Sequence, residues 1–250
     1  MLGDTMEFTF YGDLLGISGL YKLSPRLAYE KLNEFYNTTF FNFNLDWINQ
    51  CDGKIMMFSD NFFMWGNDAE GALQQLAILY TSLLHRGLLL RGAIVKGKLE
   101  FDPRLERNDF QKYLPKDDTL ARAVGLESTH KGARLLIEIP LANDLLESAP
   151  QWATAHGYIK NTCPRNPRIP YESMLRRIAP APEGYCYELL YFWGFHRELN
   201  DEDCDYEAKR QELEEVHRML KKDVGVHYKE TISLLKRCQS RHAYTNKKMP

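Results

Sequence analysis

Residues 88–100, LLLRGAIVKGKLE, are nearly all apolar on both faces of an extended chain, with Arg91 interrupting the leucines and Lys96, Lys98 and Glu100 gathered at the end. A strand with almost no polar face belongs in the middle of a sheet. A helix-period run precedes it. Leu73, Leu76, Ala77, Tyr80, Leu83 and Leu84 fall at core spacing over residues 68–86, and Gly87 ends the run. Before that, residues 54–58 and 62–65 read as two apolar strands joined by the tight turn Ser59-Asp60-Asn61. Asp and Asn are common in such turns for backbone reasons alone, so Asp60 has a plain structural reading beside any chemical one.

The N-terminal stretch MEFTFYGDLLGISGL carries the first chemical signal. Residues 7–12 are rich in β-branched and aromatic side chains and predict a strand. Asp13 falls at its end. A turn holding Gly16 and Gly19 follows, handing the chain to a helix that opens at Ser24-Pro25. A carboxylate beside the amides of a glycine turn suits a cation carrying phosphates: the carboxylate holds the metal and the amides face the anion. Asp13 read more simply caps a turn.

The remaining chain alternates. Residues 25–43 predict a helix with an aromatic tail, 101–116 a charged loop, and 117–129 a helix capped by Asp117 or Asp118. Residues 134–139 predict a strand and 141–147 a short helix. The proline-rich 148–184 predicts loops, with one short strand near 156–159. Residues 185–195 predict a strand, and 205–222 and 226–241 two amphipathic helices. This order is that of an α+β domain with a mixed or antiparallel sheet, residues 1–200, followed by a helical extension, 201–250. If the first strand pairs with the hairpin, the end of that strand and the Asp60 turn become neighbours. Two carboxylates would then share a pair of divalent cations, an arrangement that serves phosphoryl and nucleotidyl chemistry.

Composition narrows the partners. A net charge of −2 over 250 residues, with no basic block, argues against duplex nucleic acid. No apolar run approaches the ~20 residues of a membrane span. The N-terminus shows no signal-peptide pattern, and the five scattered cysteines read as reduced thiols of a cytoplasmic protein.

Four segments together resemble the class III nucleotidyl cyclases, with their ferredoxin-like, palm-type sheet. They are Tyr11-Gly12-Asp13-Leu14-Leu15-Gly16; Met57-Phe58-Ser59-Asp60-Asn61-Phe62-Phe63; Arg91-Gly92-Ala93-Ile94-Val95-Lys96-Gly97; and Leu120 to Glu127 followed by Gly132-Ala133-Arg134-Leu135-Leu136-Ile137. The resemblance covers about residues 7–139. It implies that Asp13 and Asp60 bind two divalent ions, Mn2+ or Mg2+, with the Leu14 carbonyl as a further ligand. It implies that backbone amides of Leu15, Gly16, Ile17 and Ser18 hold a triphosphate whose charge Arg91 neutralises. The ribose 3′-hydroxyl then attacks the α-phosphorus and pyrophosphate leaves. It further implies a head-to-tail homodimer in which each site is built from two chains.

Departures from the family pattern bear on the substrate. Ser59 replaces a glycine. Ala121 and Gly125 stand where the family has an Asn and an Arg that act from the partner chain, and Arg122, on the same helix, is the candidate replacement. Met56 occupies the place of a base-reading lysine, with Lys54 two positions earlier on the same strand face. Arg91, Arg122 and Lys54 also have structural readings: a strand arginine paired with a core-edge carboxylate, a solvated helix arginine, an edge-strand lysine. The substitutions resemble the bacterial antiphage pyrimidine cyclases, as do the unfused catalytic domain, the early first Asp and the strand Leu89-Leu90-Arg91-Gly92-Ala93-Ile94. That subgroup implies cyclic UMP or cyclic CMP as messenger, UTP favoured over CTP, and a downstream effector reached through the cyclic nucleotide. The other readings are an adenylate cyclase, an oligonucleotide-forming palm polymerase, and a catalytically silent nucleotide-binding module.

Overall fold

Alternation along the first strand decides the two faces of the sheet. In β1 (Phe8–Leu14), Phe8, Phe10 and Leu14 enter the main core, while Tyr11 packs into a second cluster on the opposite face. The structure, a computed structural model, describes residues 5–43, 45–102, 113–155, 175–191, 206–219 and 222–248. The strands are β1, β2 (Lys54–Phe58), β3 (Asn61–Gly66), β4 (Leu90–Lys96), β5 (Leu135–Ile137), β6 (Leu175–Ile178) and β7 (Cys186–Leu189). They form one seven-stranded sheet in the order β2-β3-β1-β4-β5-β7-β6. The β4–β5 pair is parallel and the others are antiparallel, so the sheet is mixed. β4 is the middle strand, as its two apolar faces require.

Among the described residues there are eight helices: α1 (Ile17–Leu23), α2 (Pro25–Asn42), α3 (Leu45–Gln50), α4 (Ala69–His85), α5 (Thr119–Glu127), α6 (Ile139–Ala155), α7 (Tyr206–Met219) and α8 (Lys222–Lys248). Ser24 caps α2 by accepting from the Leu27 amide, and Asp68 caps α4 by accepting from the Gly71 amide. α4 buries the leucine and tyrosine stripe read from the sequence against the main core. Each such side chain contributes about 1.5–3 kcal/mol by leaving water. α5 lies across the other face, with Ala123 and Leu126 on Ala93, Val95 and Leu136.

Leu213 of α7 and Ile232, Leu234, Leu235 and Cys238 of α8 are buried in the same core as β1 and α4. Polar bonds add to this packing. Thr231 Oγ1 accepts from the Ala133 amide at 2.9 Å, and His227 Nδ1 accepts from the Gly132 amide at 3.2 Å.

The structure corrects several element assignments. Residues 17–23, read as a turn, form α1. The helix expected over 141–147 runs from Ile139 to Ala155, and a strand, β6, lies inside the segment read as loops. The strand expected over 185–195 is limited to Cys186–Leu189 among the described residues, and the one expected near 156–159 lies outside them. Among the described residues, no helix is long and apolar enough to cross a membrane.

Candidate active site

Strand register brings the two acidic positions together. β1 and β3 pair with Asp13 opposite Asn61, and the Leu14 amide donates to the Asp60 carbonyl at 2.8 Å. Asp13 and Asp60 therefore sit side by side at one end of the sheet, from segments 47 residues apart in sequence (60 − 13). Ser59 holds φ at 56°, the left-handed region that costs an L-residue ~1 kcal/mol or more. This is the position where the family pattern has glycine, and the strain is borne in the turn that carries Asp60.

The two carboxylates act on each other. Burial first, and then the charge of Asp60, push the Asp13 carboxyl up to about 6, against the pull of Arg91. A cation between them relieves that repulsion, so these residues fit divalent metal binding. Among the described residues there is no group of three or more His, Cys, Asp or Glu side chains arranged for a metal. Asp13, Asp60 and the Leu14 carbonyl would thus form a partial shell, leaving positions for phosphate oxygens and water. The raised Asp13 value also has a consequence for folding. Without metal, the native chain keeps a proton on Asp13 that the unfolded chain releases near its ordinary 3.8, so this contribution to stability is present at low pH and lost as pH rises through about 6. Urea unfolding in chelator at a series of pH values across ~4–7 is expected to show Asp13→Asn lacking this fall in stability.

Arg91 stands between Asp13 and a residue the sequence reading did not single out. Its guanidinium pairs with Glu127 and lies 3.8 Å from Asp13. The side chains of Arg91 and Glu127 are only 13% and 4% exposed, so this is a largely buried pair. Burial raises the Glu127 carboxyl, and Arg91 counters it. Arg91 is thus committed to two carboxylates at the Asp13 end of the sheet, and any phosphate bound there would meet it beside Asp13. Tyr11, two residues before Asp13 on the same face, donates to Asn61 Oδ1 at 2.6 Å. Its hydroxyl is pushed up to about 12 by burial, then by Asp13, Glu127 and Asp60, and stays a donor at neutral pH.

The proposed phosphate-facing amides need one correction. The Leu15 amide donates to the Leu89 carbonyl at 2.8 Å and is spent on the sheet. The available amides start at Gly16, the left-handed N-cap of α1 (φ 90°), and continue through Ile17 and Ser18 in its first turn.

Arg122 lies elsewhere. Its Nη2 donates to the Lys96 carbonyl at 2.9 Å, its Nε pairs with Asp118 at 3.1 Å, and its Nη1 pairs with Glu138. Lys96 is opposite Phe8, whereas Arg91 is opposite Asp13. Five residues of strand separate the two ends, about 17 Å. In this arrangement the Arg122 guanidinium does not reach Asp13 of its own chain. Beside Arg122 is a cavity of about 370 Å³ lined by Ala121, Gly125, Glu138, Tyr185 and Cys186. The small residues at 121 and 125 leave that space, and a Cβ added at Gly125 would meet nothing within 4 Å. Lys54 and Met56 do not line this cavity. They border a separate groove with Tyr36, Phe40, Trp65 and Tyr113.

Solved structures similar to this one in architecture include cyclase domains. Two structures of adenylate cyclases from Trypanosoma brucei in their monomeric state are 12% and 13% identical to this chain. They cover 76% of it and 89% and 92% of their own length, both with a TM-score of 0.50. The adenylyl cyclase CyaB from P. aeruginosa is 14% identical over 74% of this chain and 93% of its own, with a TM-score of 0.46. No family model and no curated protein matches the sequence. The mixed sheet with its packed helices is the class III nucleotidyl cyclase fold.

Proposed function

We propose that the protein is a nucleoside triphosphate cyclase that converts a pyrimidine nucleotide, UTP in preference to CTP, into a 3′,5′-cyclic messenger and pyrophosphate. The observation that carries this reading is the register of β1 on β3, which sets Asp13 beside Asp60 on a sheet of cyclase topology. Asp13, Asp60 and the Leu14 carbonyl would hold the ions. Two bound divalent cations supply Lewis-acid activation of the 3′-hydroxyl and charge neutralisation at the leaving phosphates. The chain's own residues do the rest. Amides of Gly16, Ile17 and Ser18 face the phosphates, and Arg91 adds positive charge beside Asp13. Arg122 of the partner subunit stabilises the charge that develops on the transferring phosphorus. The cavity beside Arg122 seats the base, Glu138 and the small residues at 121 and 125 shaping it.

The roughly 17 Å between the two ends of the sheet supports a head-to-tail homodimer with composite sites, since each chain then offers the half its partner lacks. The resemblance to antiphage pyrimidine cyclases supports a cytoplasmic defence role, with an effector reading the cyclic nucleotide. Helices α7 and α8 brace the catalytic domain through the side chains they bury in its core.

Incubation with each nucleoside triphosphate and Mn2+, followed by chromatography, tests the activity. Cyclic UMP from UTP is the expected product. A linear or multinucleotide product rules out cyclisation, and turnover of ATP alone rules out the pyrimidine assignment. Mixing Asp13→Ala with Arg122→Ala chains tests the composite site. Each variant alone is expected to be silent, and the mixture to recover about one quarter of wild-type activity, because half the dimers carry one intact site of two. An Arg122→Ala chain that is active alone would place Arg122 outside the site, and two silent variants with no recovery on mixing would rule out a site shared between chains.

A further inference from the structure

We propose that Tyr11 and Asn61 form a two-residue relay that aims Asp60 at the metal; Tyr11 is a positioning residue, acting through Asn61. The inference rests on the reading of Asp13 and Asp60 as metal ligands and assigns a role to two side chains outside that shell.

The geometry leaves one arrangement of donors. An ionised carboxylate can only accept, so the side of the Asn61 amide facing Asp60 must be Nδ2, and it lies 3.4 Å from Asp60 Oδ1. The Asn61 Oδ1 then faces the Tyr11 hydroxyl at 2.6 Å, and the hydroxyl must be the donor. The contact from Tyr11 is short and that from Asn61 to Asp60 is long, so the ring fixes the amide more firmly than the amide fixes the carboxylate.

The sheet explains why Tyr11 reaches Asn61. Tyr11 is paired with Phe63, and Asn61 is two residues further along β3 on the same face, the diagonal neighbour that a long aromatic side chain can touch. The Tyr11 ring is held on one side by Phe63, with centroids 5.3 Å apart, and on the other by the apolar cluster under α5. Asp60 sits in the two-residue turn between β2 and β3. The relay ties the turn carboxylate to the rigid interior of the sheet and leaves Asp60 Oδ2 for the cation.

Titration with Mn2+ alone, counting the free ion by electron paramagnetic resonance, tests this without reference to turnover. Tyr11→Phe is expected to weaken Mn2+ binding about tenfold, and Asn61→Leu by a similar factor. The double variant is expected to bind no more weakly than Asn61→Leu, because Tyr11 acts through Asn61. Urea midpoints in chelator separate this from a merely structural role, which would move stability and leave Mn2+ affinity alone. Tyr11→Phe binding within about twofold of wild type, or losses that add in the double variant, overturns the relay. Asp60→Asn serves as the reference. If it binds Mn2+ like wild type, the metal assignment and the relay both fall. If it loses Mn2+ while Tyr11→Phe does not, only the relay falls.

Discussion

Asp13→Ala and Asp60→Ala are each expected to lower cyclic nucleotide formation at least about a thousandfold while the chain remains folded and dimeric. The size follows from removing one of the two carboxylates of the proposed two-metal site, where charge stabilisation would make up most of the rate enhancement. Folding should tolerate the changes. Asp13 and Asp60 repel each other, and burial disfavours the Asp13 carboxylate, so losing one charge removes an unfavourable interaction from the metal-free protein. Product analysis together with size-exclusion chromatography separates the two effects. Cyclic nucleotide at more than about a tenth of the wild-type rate from either variant would show that the carboxylates do not hold the catalytic ions. An unimpaired biological response from both variants would favour a silent nucleotide-binding module.

Glu188→Ala is expected to destabilise the protein by about 3–5 kcal/mol, the largest stability effect anticipated from a single substitution here. Glu188 lies on β7, is 0% exposed, and pairs with Arg134 and, at 3.0 Å and 3.5 Å, with Arg176 and Arg237. Arg134 also reaches Glu230 of α8 at 2.8 Å. Truncating the glutamate leaves the guanidiniums around it without their shared counter-charge, and Arg134 is itself 5% exposed. Burial already lowers the Arg237 pKa, against the attraction of Glu188. Urea unfolding measures the loss. A change under about 1 kcal/mol would mean that water enters and solvates the arginines, and that apolar packing with the Thr231 and His227 bonds suffices to fasten α8 to the sheet.

The fold was legible where side-chain period and position agree. Residues 62–65 and 90–96 are apolar runs that the sheet largely buries, and the α4 stripe has the helical period, so local sequence and tertiary burial demand the same element. α1 escaped because Ile17-Ser18-Gly19 combines weak helix formers, and it forms with only Ile17 buried. β6 escaped because Leu175-Arg176-Arg177-Ile178 is short and charged, and it exists through pairing with β7.

The sequence by itself determined the two acidic positions, the strand ends and turn that carry them, and the helices that cover the sheet, because those follow from patterns within a few residues. Only the tertiary structure decided which groups meet. It joined Arg91 to Glu127 across 36 residues, set Tyr11 on Asn61 across 50, and put Arg122 at the far end of the sheet from Asp13. The reason is physical: strand register turns distant sequence positions into neighbours, and a buried charge takes whatever partner the register supplies.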